Sequence, residues 1–208
     1  MIEWNSVVIV FSVYVAGVVI PGPNFVAVAH EAISNTRKHA LVLVSGIVLV
    51  NLFWAASALL GMSAVFTLFP WLALLVKFTG ATYLVWFGLM LIRNANAGSS
   101  VANSDYVRTN LFVAFKKGVA VNIANPKSIA FYAAVFSAAA PKSINLATLL
   151  AMLAVVLLIA FVWYGSVALL LSSPRISKAF VRIKGWFNKI CGSTIILLGI
   201  RQAFGSAS

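Results

Sequence analysis

The sequence predicts an all-α polytopic membrane protein: six transmembrane helices forming two inverted three-helix repeats, with helices 1 and 4 broken. Three observations carry this reading. The chain is 62% hydrophobic and 9% charged, where soluble domains average about a quarter charged. Apolar stretches long enough to cross a bilayer, about 20 residues each, recur along nearly all of it. Two helix-breaking sequences, Pro21-Gly22-Pro23-Asn24 and Asn122-Ile123-Ala124-Asn125-Pro126-Lys127, interrupt long apolar runs at matching places in the two halves. Asn24 and Asn125 lie 101 residues apart in a chain of 208. Backbone groups freed by such breaks survive inside a membrane only where protein or a watery cavity satisfies them. Paired breaks of this kind point to the binding site of a secondary transporter. Finally, Lys77-Phe78-Thr79-Gly80-Ala81-Thr82 and Lys189-Ile190-Cys191-Gly192-Ser193-Thr194 open the third and sixth apolar runs, each followed by a glycine (Gly88, Gly199) and an arginine (Arg93, Arg201). Three spans per half force the second half to enter the membrane upside down.

The N-terminus, Met1-Ile2-Glu3-Trp4, lacks the basic region of a cleaved signal peptide, and the apolar run behind it is too long for one. It reads as a retained first span. Spans are expected near 5–33, 40–62, 71–92, 111–139, 146–171 and 188–204. The first and fourth exceed what a straight crossing needs, so each is read as two half-helices meeting inside the membrane. From Asn94 to Asn110 the composition turns to small polar residues, the mark of a solvated linker. The chain therefore divides into a first repeat, 1–93, a cytoplasmic linker, 94–110, and a second repeat, 111–208.

The formal charge is +12, yet the basic residues do not gather on one amphipathic surface, so no nucleic-acid partner is expected. They orient the chain instead. Arg37, Lys38, Arg93, Arg108, Lys116, Lys117, Arg175, Lys178, Arg182, Lys184 and Lys189 fall on one side, and Lys77, Lys142 and Arg201 on the other. The richer side is cytoplasmic by the positive-inside rule, which puts both termini outside.

Lys127 is the most informative single residue. Counted from a membrane entry near Lys117, ten residues at about 1.5 Å each place Lys127 about 15 Å deep, near the midplane. A lysine there costs about 2.5–3.5 kcal/mol on insertion scales, and it opens a half-helix whose positive end disfavours a cation. An anionic partner such as a substrate carboxylate answers both costs; bonding to carbonyls freed at the break is the plainer alternative. Asn24, Asn122 and Asn125 carry donor and acceptor on one group, suited to freed backbone and to a substrate's ammonium and carboxylate. Pro21, Gly22, Pro23 and Pro126 shape the breaks, with Gly22 free to adopt positive φ or to admit a close neighbour. Asn51, midway along span two, fits a pathway role as well as bonding between helices. His30 and Glu31 are the nearest ionisable pair to a proton relay, against the plainer reading of a solvated helix end. Trp163 and Tyr164 read as packing or interface anchors.

Several chemistries are excluded. Cys191 is the sole cysteine, which rules out an intramolecular disulfide or a cysteine cage for a metal, and it reads as a small residue packed between helices. The three acids, Glu3, Glu31 and Asp105, have no partner carboxylate at helical spacing. No enzyme, metal site or cofactor is expected.

With these motifs in place, the chain resembles the lysine-exporter family (LysE/RhtB), which includes exporters of homoserine and threonine. The resemblance rests on Pro21-Gly22-Pro23-Asn24, on Asn122 with Asn125-Pro126-Lys127-Ser128, and on Gly80-Ala81-Thr82-Tyr83-Leu84, which is similar to the family's Gly-Ala-x-Tyr-Leu pattern. It covers essentially the whole chain. It implies a multi-pass exporter of the bacterial inner membrane that moves amino acids or close derivatives outward in exchange for protons. Its partners are then an amino-acid substrate, protons and lipid, with a homodimer left open. Some members carry an aspartate in span two where this chain has Asn51, so the coupling route here is unassigned. A passive channel of the same fold and a non-transporting scaffold are the competing readings.

The charge asymmetry makes a direct prediction. A single cysteine introduced at Ser99, in the linker, is protected from an impermeant thiol reagent in intact cells and labelled only after permeabilisation. Labelling from outside would invert the topology.

Overall fold

Proline and short polar side chains decide where the helices of this chain begin. A computed structural model describes residues 1–20, 22–62, 68–93, 95, 110–136 and 144–204. Helix α1 spans Trp4–Val19 and α2 spans Pro23–Ser34. Helix α3, Arg37–Ser57, runs on as a π turn over Ala58–Met62, and α4 covers Pro70–Arg93. Helix α5, Leu111–Ile123, is followed by the short α6, Pro126–Ala130, which runs on as a π turn over Phe131–Phe136. Helices α7, Leu146–Leu171, and α8, Pro174–Phe204, complete the chain.

Pro23 and Pro126 stand in the first turns of α2 and α6, where a missing N–H costs nothing. Thr36, Asn110, Asn125 and Asn145 accept a backbone N–H at the starts of α3, α5, α6 and α7, satisfying donors a helix start leaves open. Both expected breaks are present. The axes of α1 and α2 meet at 57°, and α5 stops at Ile123 before α6 restarts at Pro126.

The six expected apolar runs each fall on a helix or helix pair, but one boundary differs. The basic stretch before 188, expected as a loop, is helical, because α8 runs unbroken from Pro174. Its first turns gain packing: Phe180 and Phe187, two turns apart and so on one face, stack on Phe25 at ring distances of 6.3 and 5.2 Å. Arg175, Lys178 and Arg182 stay exposed beside them. Among the described residues, α3 through Gly61 and α7 are each long and apolar enough to cross a membrane, and the bent α1–α2 pair makes a third. Apart from Ala95 and Asn110, the 94–110 linker lies outside the described residues.

Helix α7 packs against α1, α2 and α3, and Val10, Val28, Leu43, Ile47, Met152 and Val156 form the centre of that core. The outer faces are as apolar as the inside. Leu49, Phe53, Leu150, Leu158, Phe161 and Val162 are all exposed, a surface that lipid accepts and water does not.

Glycines set the two closest helix crossings. A Cβ on Gly118 would lie 2.1 Å from the Leu43 carbonyl oxygen, and one on Gly46 would lie 2.3 Å from that of Phe115. Helices α3 and α5 therefore meet backbone to backbone. Helices α4 and α8 do the same. Gly88 faces Gly192, each Cβ meeting the other's carbonyl oxygen at 2.6 Å, while Gly199 faces Ala81. These contacts run in opposite sequence order on the two helices, so the pair is antiparallel.

Polar contacts tie the bundle at each end. At one end, the Glu3 amide donates to Thr148 Oγ1 at 3.1 Å and Asn145 Nδ2 donates to the Met1 carbonyl at 3.1 Å. At the other, Lys117 Nζ meets Glu31 Oε2 at 2.6 Å, and Asn35 Nδ2 donates to Glu31 Oε1 at 2.8 Å. Glu31 is 2% exposed, whereas the Lys117 side chain is 43% exposed.

Two outcomes follow from this packing. Gly118→Ala forces helix backbones apart and lowers the melting temperature, overpacking costing about 1–3 kcal/mol. Gly165→Ala, where a Cβ meets nothing within 4 Å, leaves it unchanged or higher. Separately, Lys117→Met destabilises more than Glu31→Gln, because it strands a buried carboxylate, while a freed Lys117 turns to solvent. Thermal denaturation in detergent checks both, and the reverse order in either pair removes its argument.

Candidate functional site

The two breaks meet in space, joined by a relay of asparagine side chains. Asn125 Oδ1 accepts the backbone N–H of Lys127 at 3.0 Å, and its Nδ2 donates to Asn24 Oδ1 at 2.9 Å. Asn24 Nδ2 donates to Asn122 Oδ1 at 2.9 Å, where Ser128 Oγ also donates at 2.7 Å. Asn122 Nδ2 then donates to the Ile47 carbonyl at 2.8 Å and to Asn51 Oδ1 at 2.9 Å. All five side chains are buried. Four asparagines from α2, α3, α5 and the start of α6 are thereby bonded across the interior of an apolar bundle.

Lys127 lies beside this relay. Its ammonium donates to the Gly17 carbonyl at 3.1 Å and to that of Ile20, oxygens left open where α1 ends. The negative end of α1 thus holds the cation, and these carbonyls supply the partner that the sequence argument sought in an anion. Gly22 makes the approach feasible. A Cβ there would lie 2.8 Å from Lys127 Cδ. Of the two freedoms read for Gly22, the structure uses the close approach: at φ −156° and ψ −167° it is extended, a conformation open to any residue. Space for the lysine stem selects the glycine, rather than backbone freedom.

Between these groups is a cavity of about 30 Å³, whose lining includes Tyr14, Gly17, Gly22, Asn24, Asn51, Asn125, Lys127, Ser128, Phe131, Tyr132 and Tyr164. It has room for water but not for an amino acid. Lys127 is the one charged residue in that lining.

Of the residues singled out from sequence, Gly22, Asn24, Asn51, Asn125 and Lys127 line the cavity, and Asn122 stands directly behind it. Pro23 and Pro126 open the two helices that flank it. Pro21 lies outside the described residues. His30 and Glu31 lie on different sides of α2: His30 is exposed, while Glu31 is buried against Lys117, since neighbours on a helix point to different sides. Tyr164 packs in the core, as read, and also lines the cavity next to Asn24. Ser128, named from sequence only as part of the motif that carries the resemblance, also lines the cavity, as do Tyr14 and Tyr132, which the sequence reading did not single out; a tyrosine in mid-span is a polar group in hydrocarbon and so a legible signal.

Comparison with known proteins places the chain in a family. A family model described as LysE type translocator matches residues 15–206. The chain is 29% identical over 192 residues to the threonine efflux protein of Salmonella typhimurium, covering 90% of this chain and 92% of that one. It is 28% identical, with the same coverage, to the threonine efflux protein of Escherichia coli K12. It is 30% identical over 142 residues to the leucine efflux protein of Enterobacter sp., covering 61% of each chain. No solved structure matches. An apolar helical bundle with paired breaks, matched over nearly its whole length by one family of transporters, is an integral membrane protein and not an enzyme: the chain belongs to the LysE type translocator family.

Proposed function

We propose that this protein is a secondary-active exporter of amino acids or close derivatives across the bacterial inner membrane, driven by proton entry. The observation that carries the reading is the relay that bonds Asn24 to Asn122 and Asn125 at a cavity beside Lys127. A polar cluster there is costly in hydrocarbon, and helix association alone needs far less of it. The names of the threonine and leucine efflux relatives supply the substrate class.

In this reading, Pro21, Gly22, Pro23, Asn24, Asn122, Asn125, Pro126 and Lys127 form the substrate site. Lys127 has three N–H donors, of which the Gly17 and Ile20 carbonyls take two. The third meets the substrate carboxylate when the cavity opens. Six spans form two inverted halves, 1–93 and 111–208, with both termini outside. The antiparallel α4–α8 contact through Gly88 and Gly192 supports that symmetry. Opening toward the basic end requires α2 to part from α5, and so breaks the Glu31–Lys117 pair.

Everted membrane vesicles test the function directly. Uptake of radiolabelled threonine is expected to require an acid-inside pH gradient and to collapse when the gradient is dissipated. Gradient-independent flux would make the protein a passive facilitator. Lys127→Met is expected to abolish uptake. It also lowers stability by about 1–3 kcal/mol, as two buried carbonyls lose their donor. A destabilised Lys127→Met variant that transports at the wild-type rate would make the lysine purely structural.

A further inference from the structure

The relay leaves one donor unpaired, and its direction makes that unavoidable. The backbone N–H of Lys127 can only donate, so Asn125 presents its oxygen there and its amide nitrogen to Asn24. Asn24 then presents nitrogen to Asn122. At the far end, the Ile47 carbonyl can only accept, which independently requires the Asn122 nitrogen. Both anchors agree, and neither can be flipped. The Asn122 amide is saturated, with two bonds accepted on its oxygen and two donated from its nitrogen. Asn51 must therefore present oxygen to Asn122, and turning its amide over would set two NH2 groups against each other.

Asn51 Nδ2 is thus fixed in place with no acceptor among the described residues. Its residue is 3% exposed and lines the cavity. A buried donor without a partner is costly. Bonding between helices does not account for it, since the Asn51 oxygen alone makes that bond.

Resting on the exporter reading above, we propose that the Asn51 amide is a substrate-recognition group, donating to an oxygen of the transported amino acid. That oxygen belongs to the carboxylate or to a side-chain hydroxyl. Asn51 acts beside Lys127, with its direction enforced by the asparagine relay. The residue on α3 thereby joins the substrate site built by the two breaks.

The test measures affinity and stability on purified protein in detergent. A thermal-shift survey of the common amino acids comes first, followed by titration with L-threonine and L-valine, in which a methyl replaces the hydroxyl. Asn51→Leu removes both functions of the amide; Asn51→Asp keeps the acceptor for Asn122 and puts a carboxyl in place of the donor, charged when ionised and an O–H donor when protonated. Both variants are expected to weaken binding by about tenfold or more. Equal loss for the two ligands assigns the carboxylate, and loss confined to threonine assigns the hydroxyl. If Asn51 merely bridges helices, Asn51→Leu loses thermal stability yet binds both ligands as wild type; that pattern overturns the proposal. A wild-type protein that no amino acid stabilises sinks the exporter reading and this proposal with it, whereas binding that survives Asn51→Leu overturns this proposal alone.

Discussion

Inside a membrane, every backbone N–H and C=O exposed by a broken helix needs a partner from the protein itself, and the interior of this molecule is organised around that requirement. The end of α1 leaves carbonyls open at Gly17 and Ile20, and Lys127 from the other break reaches across to take them. The start of α6 leaves an amide open at Lys127, and Asn125 takes it. The first break is therefore completed by Lys127 of the second, while the second is capped by its own Asn125, which in turn bonds Asn24 of the first. The first break cannot form alone without leaving bare polar backbone, so the two breaks and the cavity between them are one unit.

Close helix approach is the second condition. Lipid is as apolar as leucine, so burying apolar side chains adds little, and contact between helices depends on packing and polar bonds. Gly46 and Gly118 bring α3 and α5 together at the backbone. That closeness lets Asn122 bond both the Ile47 carbonyl and Asn51 one turn further along α3. A wider crossing would put those acceptors out of reach. The glycine contacts and the asparagine relay thus depend on one another.

The few charges in the interior are each placed against a specific opposite. Glu31, in the last turn of α2, meets Lys117, midway along α5, and Lys127 meets the negative end of α1. The first contact links α2 to α5, and the second links α6 to α1. α2 also carries Asn24 at the cavity, two turns from Glu31, so the relay and the ion pair both join α2 to α5.

Much of this was open to a reader of the sequence. Proline, glycine and asparagine break helices by local rules, so both breaks, most helix boundaries and most of the cavity's asparagines follow from residue identity and spacing. Local rules could not say which partner each group would find. The lysine's partner turned out to be backbone carbonyl, because only folding brings the end of α1 against α6. The exposed His30 and the buried Glu31 differ by one position, and only the packing of α2 on α5 separates their roles. The helical start of α8 depends on Phe25, far away in sequence. Tyr164, one aromatic among many in an apolar span, became part of the cavity only when α7 turned that face toward Asn24. Composition and helix breakers determine which segments cross and where they stop. The pairing of buried polar groups is a property of contacts between distant segments, and only the tertiary structure could decide it.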